Sequence, residues 1–188
     1  MSSIVQTGSF RRGRVLVLYA ATVEHTRTNA TAIAARIRSH GMIVDVVDAS
    51  VTSMPAPHDY DGIVLGMPAA FDAHTALIES YISHHRLALE KIPTAVFAAT
   101  GNADDGFLDE LERRLEWRPD IVAAIGDGVP RRSLGWLGRV LAAQRQWREL
   151  RDLGIDSSAA DQLADRIASR VACAAQVAEV AEREQAVH

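Results

Sequence analysis

The sequence predicts an α/β fold: a doubly wound sheet of five parallel strands in three α/β/α layers. Three observations carry this prediction. Five short runs of strand character recur along the chain, the first of them continuously apolar and rich in branched residues, as suits a strand buried on both faces of a parallel sheet. The segments between them carry helical periodicity, and right-handed crossovers between parallel strands place such helices on both faces of a sheet. A length of 188 residues with 48% hydrophobic residues supports one core and one domain.

In chain order, residues 1–13 read as a flexible leader carrying Arg11 and Arg12, and residues 14–188 as a single domain. Val15, Leu16, Val17, Leu18 and Tyr19 form the first strand. The period then changes: Ile33 and Ile37 predict a helix over 28–40, which Gly41 stops. A second strand over 42–47 leads into a loop around Pro55 and Pro57, followed by a third strand over 62–66. A helix over 73–89, a strand over 94–99, a helix over 107–115 and a strand over 121–125 continue the alternation. Residues 130–151 do not fit it. The last helix spans 158–184, with Asp156 or Ser157 as its N-cap.

A formal net charge of −4 and a pI near 6.0 remove the whole-protein electrostatic argument for nucleic acid. No run reaches the roughly 18 apolar residues that span a bilayer, and no signal peptide pattern is present, so the reading is cytoplasmic. Cys173 is the single cysteine, which excludes an intrachain disulfide; its alanine-rich helical setting predicts a buried small side chain. His84 and His85 are adjacent on a predicted helix and point apart, while His25, His58 and His74 are scattered, His74 lying beside the loop after the third strand. No metal-ligating spacing appears, and no metal is expected. Asp104, Asp105, Asp109 and Glu110 read as a solvated helix start.

Ligands of such sheets gather beyond the carboxyl ends of the strands, near the switch in strand order. The first of those loops, residues 19–28, carries the hydroxyls of Thr22, Thr26 and Thr28 straight into a helix. Two readings stay open for it: helix capping by Thr26 or Thr28, and an anion site built on unpaired N–H groups and the helix dipole. Neither the dinucleotide glycine fingerprint nor the P-loop lysine is present, so NAD and ATP lose their usual support.

The strand order, this first loop with Tyr19 and Thr26, the Gly66-Met67-Pro68 and Ala98-Ala99-Thr100-Gly101-Asn102 segments, Trp117-Arg118-Pro119-Asp120, and Trp136 with Arg139 together resemble a known pattern. It is that of the flavodoxin-like family that includes menaquinone-dependent protoporphyrinogen oxidase, and the resemblance covers residues 14–183. It implies an FMN site, with the phosphate at Ala21, Thr22, His25 and Thr26. The isoalloxazine ring would lie between Pro68, Ala69 and Phe71 on one side and Thr100, Gly101 and Asn102 on the other. It also implies transfer of electrons or hydride to or from a quinone-like or other small redox partner, protoporphyrinogen-like chemistry included. The flavin carries the reaction, so no dedicated nucleophile is expected.

This chain departs from the family pattern in three places, one of them a loop after the fourth strand shorter than that of family members that oxidise protoporphyrinogen. Glu24 stands where the first loop normally has glycine, and a carboxylate facing inward there repels phosphate. Arg131 and Leu134 stand where family members that oxidise protoporphyrinogen have tyrosines, so that substrate is not carried over. Taken alone, the Trp117–Asp120 stretch reads structurally, with Trp117 packing, Pro119 ending a helix and Asp120 capping a turn. Residues 130–148 combine Arg131, Arg132 and Arg139 with Leu134, Leu137 and Leu141 at helical spacing. They read as an amphipathic helix on the sheet with Trp136 and Trp147 buried, or as a surface for a partner, a substrate or a membrane periphery. The competing class is a flavin-free flavodoxin-like interaction module.

Overall fold

In a strand buried on both faces, alternate residues serve two different cores. In the computed structural model, which describes residues 12–21, 24–68, 70–100, 105–115, 117–126 and 157–185, β1 (Arg14–Tyr19) does this. Val15, Val17 and Tyr19 enter one core while Leu16 and Leu18 enter the other. Around it lie β2 (Ile43–Asp48), β3 (Gly62–Pro68), β4 (Thr94–Thr100) and β5 (Ile121–Gly126), all parallel, in the order β2-β1-β3-β4-β5. The expected doubly wound five-stranded sheet is observed, with strand limits within two residues of those read from the sequence.

One face is covered by α1 (Glu24–Ser39) and α4 (Ser157–Gln185). Ala30, Ile33, Ala34 and Ile37 of α1 meet Leu163, Ala164, Ile167 and Val171 of α4 at helical spacing. The other face carries α2 (Ala73–Leu89) and α3 (Asp105–Leu115), with Ile78, Ile82, Leu111 and Trp117 in its core. Glycines admit the closest contacts. A Cβ on Gly13 or Gly62 would stand 2.9 or 2.5 Å from a methyl of Val171, and one on Gly66 only 2.2 Å from Cζ of Phe97. Gly41 ends α1 with φ of 82°, its N–H bonded to the Arg38 carbonyl at 2.9 Å, as its position predicted.

Polar fastenings lie at the sheet edge opposite the strand C-termini and between helices. Asp120 Oδ2 accepts from the Thr94 N–H at 2.9 Å and its Oδ1 meets Arg170 at 2.7 Å, tying the starts of β4 and β5 to α4. Trp117 is buried beside it, so the Trp117–Asp120 stretch serves packing and strand entry in this fold. Arg14 and the Tyr60 hydroxyl share Asp45 at 2.7 and 3.0 Å. Asp165 of α4 takes Arg36 of α1 and His40, just past the end of that helix, each at 2.7 Å, and this pairing holds its carboxyl well below the usual carboxylate range.

Three expectations are corrected. Helix α1 begins at Glu24, four residues before the apolar periodicity, so Thr26 and Thr28 lie inside its first turns and neither is its N-cap. Cys173 is exposed: α4 runs on past the part that packs on the sheet and α1, and every residue from Ala172 to Ala181 faces solvent. Ser157 is already helical and Asp156 lies outside the described residues.

Candidate functional site

The chain leaves β1 toward β2 on one side and reaches β3 on the other, so the strand order switches between β1 and β3. A crevice at such a point is bounded by the loop after β1 and the loop after β3. The two strand ends are joined there: Tyr19 is in register with Gly66, and the Ala20 N–H donates to the Gly66 carbonyl at 3.0 Å. Ala21 is half-buried at the end of this strand, and α1 starts three residues later.

Thr26 is the third residue of α1 and is wholly buried, yet among the described residues its hydroxyl has no hydrogen-bond partner. One turn on, along the same inner stripe, Asn29 is 8% exposed and its side-chain amide nitrogen also has no partner among the described residues. An orphaned buried donor costs about 1–3 kcal/mol, and two together at the start of one helix mark a place where polar contact is missing. The first-turn N–H groups of a helix are likewise unbonded within it and carry the positive end of the dipole. A hydroxyl and backbone donors in the first turn of a helix suit a phosphate-sized anion, and Asn29 lies one turn further along α1. His25, half-buried, lies beside Thr26 in the same turn.

Among the described residues of the loop after β3, Ala70 and Asp72 are tied by hydrogen bonds to the first turn of α2. Pro68 is the buried last residue of β3, in register with Ala99, rather than a loop residue. Asp72 caps α2, accepting from the N–H groups of His74 and Thr75 at 2.8 and 3.1 Å. The buried Thr75 hydroxyl bonds back to the Ala70 carbonyl and lies 3.5 Å from that of Pro68. Phe71 stands between these fastenings, 47% exposed, with the Arg114 guanidinium 4.5 Å from its ring centroid. Thr100 closes β4 opposite Gly126.

The structure thus brings Ala21, His25 and Thr26 to one rim and sets Pro68 and Phe71 at the end of the neighbouring strand. Thr22, Ala69, Gly101, Asn102, Arg131, Arg132 and Arg139 lie outside the described residues, as does the side chain of Glu24. Asn29, Asp72, Thr75 and Arg114 were not singled out from sequence. Asp72 directly before a predicted helix is an N-cap signal, and Asn29 interrupts an apolar stripe, so both were available to find. Nothing local marks Arg114. Among the described residues no three His, Cys, Asp or Glu side chains are placed to hold a metal ion, and no helix is long and apolar enough to cross a membrane.

A parallel sheet of this order with a donor-rich rim at its switch point defines a flavodoxin-like α/β protein. The flavodoxin domain model matches residues 16–148, and the chain belongs to that family, whose members generally bind FMN. Among curated relatives, the protoporphyrinogen IX dehydrogenase [quinone] of Escherichia coli (strain K12) is 20% identical over 137 residues, covering 68% of this chain and 76% of that protein. Among solved structures, two-electron reduced Megasphaera elsdenii flavodoxin matches with a TM-score of 0.55 and 17% identity, over 82% of this chain and 98% of that one. A flavodoxin from the domain Archaea matches with a TM-score of 0.53 and 16% identity, over 84% and 98%.

Proposed function

We propose that this chain is an FMN-binding redox protein that passes electrons or hydride to or from a quinone-like or other small redox partner, and that it works in the cytoplasm. The observation that carries the reading is the buried hydroxyl of Thr26 at the N-terminus of α1, beside the switch point of the sheet, which has no partner among the described residues. Thr26, His25 and the first-turn N–H groups, with Ala21 and Thr22, would hold the phosphate, and Asn29 adds a second side-chain donor on the same stripe. Pro68, Ala69 and Phe71 would lie along one side of the ring system, and Thr100, Gly101 and Asn102 at its other edge. FMN, when bound, supplies the hydride or electron transfer; the protein binds, orients and tunes it. The quinone named for the Escherichia coli relative supports a quinone-like partner here. Arg131, Arg132 and Arg139 supply the positive charge for a carboxylate-bearing substrate or an acidic partner.

The test is direct. The purified protein, incubated with FMN and freed of excess, should be yellow, with flavin absorption near roughly 375 and 450 nm. Once reduced without oxygen, it should be reoxidised by a soluble quinone faster than free FMN at the same concentration. A colourless protein that takes up no FMN overturns the reading in favour of a flavin-free module. A yellow protein that no quinone reoxidises faster than free FMN keeps the cofactor and removes the partner.

A further inference from the structure

The backbone on either side of Phe71 is pinned twice, by Asp72 capping α2 and by the Thr75 hydroxyl bonded to the Ala70 carbonyl. The side chain between these fastenings, that of Phe71, is a large aromatic ring that stands 47% exposed in the loop which the reading above sets along the cofactor. An exposed ring samples several staggered rotamers, and ordering it on binding costs free energy. The molecule supplies a partner from a different element. Arg114, near the end of α3, lays its guanidinium 4.5 Å from the Phe71 centroid and reaches Glu79 Oε2 of α2 at 3.2 Å. Glu79 is itself only 17% exposed, so the anchor of this arginine is better fixed than a surface carboxylate would be. The three residues lie on the loop, on α2 and on α3, and no helix-local rule brings them together.

We infer that Arg114, anchored by Glu79, is a positioning residue that fixes the Phe71 ring for a planar, electron-accepting cofactor and sets a positive charge on that side of the site. This rests on the FMN reading above. A guanidinium over an aromatic face is held by the ring quadrupole, and it stacks flat, so it orders the ring without covering its edge. Its charge favours the reduced, more electron-rich form of the cofactor over the oxidised one. Removing it leaves the Glu79 carboxylate uncompensated, so loss of the cation and exposure of the anion shift the potential in the same direction.

The experiment compares wild type, Arg114→Gln, Arg114→Lys, Phe71→Leu and the Arg114→Gln/Phe71→Leu double variant. FMN affinity and midpoint potential are measured for the loaded proteins. Side-chain NMR shifts of Arg114 are measured without FMN. Without FMN, the Phe71 ring current should displace the Arg114 side-chain resonances in wild type, and Phe71→Leu should abolish that displacement. Arg114→Gln should weaken FMN roughly two- to five-fold and lower the midpoint potential, and Arg114→Lys should restore most of the potential. In the Phe71→Leu background, Arg114→Gln should have little further effect on affinity. Wild-type affinity and potential in Arg114→Gln, or fully additive affinity losses in the double variant, overturn the inference while leaving FMN binding intact. A wild-type protein that takes up no FMN overturns both.

Discussion

Replacing Thr26 by valine keeps a β-branched side chain of nearly the same shape and removes only the hydroxyl, the atom on which the proposed phosphate site turns. In the protein without cofactor that hydroxyl is buried with no partner among the described residues, and an unsatisfied buried polar group costs about 1–3 kcal/mol. Thr26→Val should therefore stabilise the cofactor-free protein by about that amount, with a Tm higher by roughly 2–4 °C per kcal/mol for a chain of this size. Affinity should move the other way. A hydrogen bond to a charged acceptor contributes about 1.5–3 kcal/mol, so its loss weakens FMN binding by roughly ten- to 150-fold. Thr26→Ser, which keeps the hydroxyl, should bind FMN within a few-fold of wild type. Urea denaturation without FMN and an FMN titration of the same preparations give both quantities. A valine variant that is less stable than wild type and binds FMN equally well would refute the reasoning, because the hydroxyl would then be satisfied in the fold and unused by the ligand.

Gly66→Ala places a methyl 2.2 Å from Cζ of Phe97, a ring that is itself wholly buried, so relief requires core movement. It should cost about 1–3 kcal/mol in urea denaturation, and wild-type stability would show that the ring yields freely. Asp165 predicts an acid-side effect. Its carboxyl is held below the usual range by Arg36 and then His40, so the folded state binds fewer protons than the unfolded state. The stability it contributes is present above the ordinary carboxylate range and is lost as pH falls below it toward the lowered folded value. Asp165→Asn should lack this part of the acid slope, and stability curves for the two proteins that run parallel between neutral and acid pH would contradict it.

The architecture was legible because it is written in local patterns. The strands β1 and β3 are continuous apolar runs rich in branched residues, and α2 begins after Asp72 at the residue where its periodicity begins. The start of α1 was not legible, because Glu24, His25 and Arg27 carry no apolar stripe and join the helix only as the crossover from β1 is completed. Cys173 was misread for a related reason. Its alanine-rich surroundings look like core, but burial along α4 depends on how far it packs on the sheet and α1, which composition does not encode. The roles of Asp120 in joining Thr94 and Arg170, and of Arg114 in meeting Phe71 and Glu79, depend on long-range placement that no short motif specifies. Within the site, the hydroxyl of Thr26 was visible as a candidate in the first loop. Its lack of a partner, and that of Asn29, emerged only once the helix was packed.

The central claim, a phosphate held at the start of α1, is tested most directly by titrating the cofactor-free wild-type protein with FMN and, in parallel, with riboflavin, which shares the ring and ribityl chain and lacks the phosphate. The account predicts saturable binding of FMN at one per chain and riboflavin binding weaker by roughly ten-fold or more, the contribution expected of charge-assisted hydrogen bonds to the phosphate. Equal affinity for the two ligands, or no binding of either, would contradict it.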